Sequence, residues 1–211
     1  MTESRKKDNV ADVIEIDDTP VKKAASIFHN KLYFRTDITD KSINDLIQLS
    51  ENFIQKSFFK NSAYPDYTLH LESTGGSVIA ANRFIDYLEY RVIPNIPNCS
   101  VFIDSYVASA GAMLALAFPI RRMTSRATLM FHQISWGTGW NESNQLIASV
   151  DWLKATQERD IKLVAERTKQ SYDLIHQFII DSVYFNAKDA LKYGFITDIV
   201  TPSSIITGTH T

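Results

Sequence analysis

The sequence is short of the features that commit a chain to an oxidising compartment, a membrane or a polyanion. It has one cysteine, Cys99, which leaves no partner for an internal disulfide and no thiol pair for a zinc site; a reducing cytoplasm is the expected setting. The longest nearly apolar run, Val107 to Ile120, is 14 residues, against the roughly 20 that a membrane-spanning helix needs, so a buried helix is expected there and no membrane partner. Charge of one sign is also missing. With 22 Lys and Arg against 24 Asp and Glu, no global field draws the chain to nucleic acid or anionic lipid. Behind Arg5, Lys6 and Lys7 there is no apolar stretch, so no export signal is expected. There is no tandem repeat and no low-complexity segment. What is present is a 211-residue chain with 45% hydrophobic residues, enough to bury one core and too apolar for wholesale disorder.

Residues 1–25 carry clustered charge and no aromatic side chain, which predicts a mobile N-terminal arm; the domain is expected over 26–202, with a C-terminal tail at 203–211. Within the domain, strand and helix patterns alternate. Leu32-Tyr33-Phe34 reads as a strand, and Ile43, Leu46, Ile47, Phe53 and Ile54 recur at helical spacing. Tyr67 to Leu71 is the next strand, followed by a Gly75-Gly76 turn and a helix lined by Ala81, Phe84, Ile85 and Leu88 up to Pro94. Val101 to Ile103 and Ala127 to Phe131 are further strands around a small-residue helix that starts after Ala108. Ser143 to Lys169 reads as one long amphipathic helix, with Leu146, Val150, Leu153, Ile161 and Val164 on one side. Helices at Tyr172–Ile180 and near Ala187–Tyr193 and a strand at Phe195–Val200 close an α/β layout.

Three short stretches carry residue types suited to chemistry. Glu72-Ser73-Thr74-Gly75-Gly76-Ser77-Val78 stands where a strand gives way to a helix. Paired glycines there permit positive φ and can turn backbone N–H groups toward an anionic oxygen, although most such pairs are simple turns. No Gly-Lys-Ser/Thr follows, so a phosphate loop is disfavoured. In Tyr106-Val107-Ala108-Ser109-Ala110-Gly111-Ala112 a serine among small residues occupies a strand-to-helix junction. There a carbonyl can approach the hydroxyl and the Ala110 N–H can serve as an oxyanion donor; a helix cap is the plainer reading of Ser109. In Leu129-Met130-Phe131-His132-Gln133 a histidine ends an apolar strand, where it can shuttle a proton near neutral pH. Histidines 29, 70, 176 and 210 have no comparable neighbours, and Cys99 reads as a packing thiol. Trp136, Trp140 and Trp152 read as interface or core residues.

In this order and context the stretches resemble the Clp (caseinolytic) protease proteolytic subunit family over about residues 27 to 201. Glu72 to Val78 is similar to the family's Ser-Pro-Gly-Gly turn with Thr74 in place of proline, Ala108 to Ala112 to its nucleophile motif and Met130 to Gln133 to its histidine motif. Asn186 to Asp198 matches its C-terminal Ala-x-x-Ala and Tyr-Gly signature. The resemblance implies a crotonase-like α/β fold of repeated ββα units, with an inserted handle at about 134–169, assembled into heptameric rings that stack in pairs. It further implies a serine endopeptidase acting on unfolded polypeptides fed by an AAA+ unfoldase ATPase. ATP would be used by that partner, and no cofactor or metal is implied in this chain. By the same carry-over Ser109 is the nucleophile, His132 the base, and Gly75 or Gly76 with Ala110 the oxyanion hole; Ile134, Ser135, Trp136 and Gly137 hold substrate by strand addition.

One position departs from the family pattern. Counted back from Asn186-Ala187, the triad aspartate falls on Ser182, with Asp181 one residue earlier. Asp181 is the candidate third member by way of a helix-end adjustment, and solvated surface charge is the competing reading. Ser182 therefore keeps open a second function, a catalytically weak ring subunit that modulates an active complex, a related Clp subunit, or its ATPase. An acyl-CoA hydratase or isomerase on the same fold ranks lower because it needs neither Ser109 nor His132.

Overall fold

Two hydrophobic periods, two residues in strands and about 3.6 in helices, organise the computed structural model, which describes residues 25–28, 31–61, 66–135, 137 and 142–202. In chain order the elements are β1 (Ala25–Phe28), β2 (Lys31–Arg35), α1 (Asp40–Asn61), β3 (Tyr67–Ser73), α2 (Val78–Tyr87) and β4 (Cys99–Ala108). They continue as α3 (Ala110–Leu116), β5 (Ile120–Thr124), β6 (Thr128–Met130), α4 (Ser143–Thr168), α5 (Tyr172–Ile180), β7 (Tyr184–Asn186), α6 (Ala187–Lys192) and β8 (Asp198–Val200). The expected arm, apart from Ala25, and the tail from residue 203 lie outside the described residues, as do Trp136 and Trp140.

The strands form one sheet in the order β1-β2-β3-β4-β5-β8, with β6 joined to β4 and β7 to β6. Strands β2, β3, β4, β5 and β8 run parallel, as expected of strands linked by helical crossovers in a crotonase-like α/β fold. Both faces of the central strands are covered. In β3, Tyr67, Leu69, His70 and Leu71 are all buried, and the strand reads as a nearly continuous apolar run for that reason. Helices join this core through their spaced apolar residues: Ile43, Leu46 and Phe53 of α1, Phe84 and Ile85 of α2, and Leu114 of α3. Reciprocal bonds between Thr39 and Ser42, at 2.9 and 3.0 Å, satisfy the first turn of α1, and Ser77 Oγ accepts the Ala80 N–H at the start of α2.

Several elements differ from the sequence expectation. Strand β5 was not anticipated because Arg121 sits at one of its buried positions; the guanidinium donates to the carbonyls of Phe118, Phe195 and Gly194. Buried charge of this kind erases the alternating pattern while the carbonyls keep it satisfied. Strand β7, three residues long, is too short to show a period. Helix α2 ends at Tyr87 rather than running to Pro94, and Leu88–Val92 forms a wider π turn in which the Ile93 N–H donates to the Leu88 carbonyl. The long helix α4 runs as expected, but its apolar stripe is divided. Leu146, Ile147, Val150 and Trp152 are exposed in its first half, while Ile161 and Val164 are buried in its second.

Candidate active site

Parallel strands β3, β4 and β6 direct their carboxyl ends to one edge of the sheet, where a parallel α/β arrangement places its ligands. What brings those ends together is an irregularity in β4. Its pairing with β3 moves from Leu71 opposite Ile103 to Ser73 opposite Val107, so extra β4 residues are accommodated between the two pairs. Across that shift β4 also changes its other neighbour, from β5 at Ser100 to Ile103 to β6 at Tyr106 to Ala108. The polar residues Asp104 and Ser105 at the change of partner explain why only Val101 to Ile103 reads as strand in the sequence.

Ser109 follows at the sharp turn from β4 into α3, with φ 57° and ψ −128°. Such a conformation costs a non-glycine residue on the order of 1–3 kcal/mol and is retained where the surroundings enforce it. Here the Ser109 N–H donates to the Met130 carbonyl at 2.9 Å, tying the turn to the end of β6. The Ser109 side chain makes no capping bond to α3, so the hydroxyl is not spent as a helix cap. The Ala110 N–H, at the first position of the helix, has no acceptor among the described residues.

The glycine turn after β3 packs directly against this serine. At Gly75 (φ +104°) an added Cβ would lie 2.6 Å from Ser109 Cβ and 2.9 Å from the Ala108 carbonyl oxygen, so only glycine allows the approach. The two glycine amides have different fates. Gly75 N–H is directed to Ser73 Oγ at 3.2 Å, while its carbonyl accepts from Ile38 N. Ser77 N–H donates to the Ile38 carbonyl, so the bridge to Ile38 uses the residues flanking Gly76 and leaves the Gly76 N–H without an acceptor among the described residues. Of the two glycines named from the sequence, Gly76 is the one that lines the cavity. Thr74, in the place of the family's proline, donates to Asp37 Oδ1 at 2.5 Å and anchors the turn by another route.

A cavity of about 60 Å³ collects these groups: Gly76, Ser109, Ala110 and His132 all line it. Val78, Met113, Phe131, Ile134 and Ile179 supply apolar wall, and Ser135, Gln157 and Asp160 supply polar atoms. His132 is partly buried and lines the cavity, and no hydrogen bond joins its ring to Ser109 Oγ. Gly137 is exposed and does not line the cavity, and Trp136 falls outside the described residues.

The third candidate is separated from the others. Asp181 caps the end of α5, is exposed, and its Oδ2 accepts from Gln177 Nε2 at 2.8 Å; it does not line the cavity. Register points instead to its neighbour. Strands β6 and β7 pair antiparallel with Thr128 opposite Asn186, Leu129 opposite Phe185 and Met130 opposite Tyr184, and the Phe131 N–H donates to the Val183 carbonyl at 3.4 Å. The strand pairing ends at Met130 and Tyr184; carried two residues further, the same register would set His132 opposite Ser182, on one face with it, although Ser182 is exposed and, like Asp181, does not line the cavity. Ser182 has φ 53°, a left-handed conformation that Asp and Asn tolerate better than most residues.

Sequence reasoning missed Asp160. It is 7% exposed, the one buried acid among the described residues, and Arg159 donates to its Oδ1 through Nε and Nη2 at 3.3 and 3.1 Å. Burial, only partly offset by Arg159, holds its carboxyl above the usual aspartate range. A signal was available: Thr156, Asp160, Val164 and Thr168 recur every four residues on α4 and are all buried, so the acid lies within a buried stripe. Among the described residues no cluster of His, Cys, Asp and Glu is arranged to hold a metal ion, and no helix is long and apolar enough to cross a membrane.

The family model for Clp protease matches residues 25–203. The chain belongs to the Clp protease family. It is 31% identical over 145 residues to ATP-dependent Clp protease proteolytic subunit 2 of Thermobifida fusca (strain YX), covering 68% of this chain and 69% of that one. It is 29% identical over 140 residues to the ATP-dependent Clp protease proteolytic subunit of Streptococcus mutans serotype c, covering 64% and 68%. The corresponding subunit of Streptococcus pneumoniae (strain Hungary19A-6) is 26% identical over 144 residues. Within this Clp protease chain the matched span contains every described residue that lines the cavity, together with the glycine turn, the Ser109 elbow and the strand that ends before His132.

Proposed function

We propose that this chain is a serine peptidase subunit of a self-compartmentalised, ATP-dependent protease that cuts unfolded polypeptides. The observation that carries the reading is the convergence on one cavity of Ser109, His132 and the Gly76 and Ala110 amides, which have no acceptor among the described residues. In this reading Ser109 Oγ attacks the scissile carbonyl carbon as the His132 ring takes the hydroxyl proton. The carbonyl oxygen becomes an oxyanion that accepts from Gly76 N–H and Ala110 N–H. Collapse breaks the C–N bond, His132 returns the proton to the departing amine, and an acyl ester remains on Ser109. Water then attacks the ester, giving its proton to His132, and the carboxylic product leaves as the serine hydroxyl re-forms. Ile134 and Ser135, beside the cavity, are suited to hold an extended substrate by main-chain pairing.

The assembly follows from the same reading. The chain forms heptameric rings with itself, stacked in pairs, and an AAA+ unfoldase ATPase supplies substrate and consumes ATP. The exposed Leu146, Ile147, Val150 and Trp152 of α4 support a role for that helix as the handle between rings, since an apolar stripe of this kind needs a cover. The test is covalent labelling by a fluorophosphonate. Labelling that disappears in Ser109→Ala is the expected result, and an assembled protein that takes no label refutes the mechanism.

A second reading is motivated by Ser182, a hydroxyl rather than a carboxylate at the position where the family pattern has the triad aspartate. In that reading the chain is a weakly active ring subunit that modulates a related active Clp subunit or captures the ATPase. It predicts assembly with little turnover by this chain alone.

A further inference from the structure

The cavity beside Ser109 contains a carboxylate that the reaction does not use. Asp160 is more than nine-tenths buried, comes from α4 rather than from the strand ends, and lines the same space as Ser109, Ala110 and Gly76. Only one of its oxygens is occupied among the described residues. Arg159 donates to Oδ1 from both Nε and Nη2, and Oδ2 accepts nothing from the described residues. Oδ2 is also absent from the sealed, unpartnered polar atoms among the described residues, which are Tyr87 Oη, Arg122 Nε and Arg167 Nε. An acceptor with no donor among the described residues, on a residue lining a cavity, is suited to a donor placed in that cavity.

The position of the cavity identifies the donor. A carbonyl held by the Gly76 and Ala110 amides puts its own Cα, and hence the side chain on the acyl side of the scissile bond, next to the space that these residues line. That space combines apolar wall from Val78, Met113, Phe131 and Ile179 with two side-chain acceptors on α4, the Asp160 carboxylate and the Gln157 amide oxygen. A long aliphatic stem ending in a cation fits both parts. The stem takes the apolar wall and the terminal N–H groups reach the carboxylate. An acidic side chain would meet a buried negative charge, and a purely apolar one would leave that carboxylate desolvated with no added partner. One positive group bears on Asp160 from another direction: the guanidinium of Arg159, on α4 and largely exposed, already shares Oδ1. The His132 ring lines the same cavity, with no bond to Asp160 among the described residues.

We propose that Asp160 is a specificity-determining residue, selecting lysine or arginine on the acyl side of the cleaved bond. The inference rests on the peptidase reading for its place in the reaction, but its binding component can be measured without turnover. Peptides identical except for lysine, norleucine or glutamate at that residue are compared by kcat/KM in the assembled wild-type protein, Asp160→Asn and Asp160→Glu. The same peptides, carrying a fluorophore, are titrated by anisotropy against Ser109→Ala and the Ser109→Ala, Asp160→Asn pair.

The expected result is a wild-type lysine-to-norleucine ratio above one that falls on the order of tenfold or more in Asp160→Asn, the size of a lost charge-assisted hydrogen bond. Asp160→Glu restores part of the preference. Asp151→Asn, an exposed carboxylate on the same helix, leaves the ratio as it was. A wild-type ratio at or below one overturns the proposal even if Asp160→Asn fails to fold, and so does a ratio that does not change in a folded Asp160→Asn. Selective binding of the lysine peptide to Ser109→Ala, lost on Asp160→Asn, with no turnover in the wild type, supports the role of Asp160 and overturns the peptidase reading. Turnover with no selectivity does the reverse.

Discussion

Replacing Ser182 by aspartate is the sharpest test of how the site is built. The register that pairs Met130 with Tyr184 and ties Phe131 N–H to the Val183 carbonyl, carried one residue further, would set residue 182 opposite His132. Its left-handed φ of 53° accepts aspartate with little strain. In serine-type triads, loss of the carboxylate costs about 10⁴-fold in rate, roughly 5.5 kcal/mol at 1.36 kcal/mol per decade. That figure is the ceiling for Ser182→Asp, because the serine hydroxyl already present can accept from the imidazole and hold its tautomer without supplying charge. The expected gain in kcat/KM therefore lies between about tenfold and 10⁴-fold. The direction of a pH effect follows from the same geometry. A carboxylate facing His132 favours the imidazolium and raises its pKa, so the acid limb of the rate profile moves to higher pH. The assay is hydrolysis of a fluorogenic peptide across the neutral range by wild type, Ser182→Asp and Asp181→Asn. Asp181→Asn is expected to change little, since that carboxylate faces Gln177 outside the cavity. A folded, assembled Ser182→Asp with an unaltered rate and an unmoved profile refutes the register argument. A thousandfold loss in Asp181→Asn would show that Asp181, not residue 182, serves the histidine.

Two further outcomes follow from packing. In Gly76→Ala the new methyl would lie 2.2 Å from the Ile38 carbonyl oxygen at a φ of +137°, so destabilisation of about 2 kcal/mol or more and loss of Ser109 labelling are expected; thermal unfolding and fluorophosphonate labelling check both, and a variant as stable and as reactive as wild type contradicts the assigned turn. Burial pushes the Cys99 thiol up to about 12, so the native protein should not react with a disulfide reagent at neutral pH and should titrate one thiol once denatured. Prompt reaction of the native protein would place that residue at the surface.

Much of the molecule is legible in the chain because it rests on short-range chemistry. Small residues around Ser109, the paired glycines 75 and 76, and helical spacing from Ile43 to Phe53 each act through neighbours a few residues away, and all appear where the pattern puts them. Strand β5 was hidden because Arg121 draws its compensation from carbonyls at Gly194 and Phe195, far along the chain. The sequence by itself determined the alternation of strands and helices and the candidate serine and histidine. Tertiary structure alone decided which glycine amide has no acceptor among the described residues, that the Asp181 carboxylate faces Gln177 outside the cavity, and that Asp160 lines the cavity. Those outcomes depend on inter-strand register and on a helix packing against strand ends, and contacts of that range leave no local trace in the order of residues.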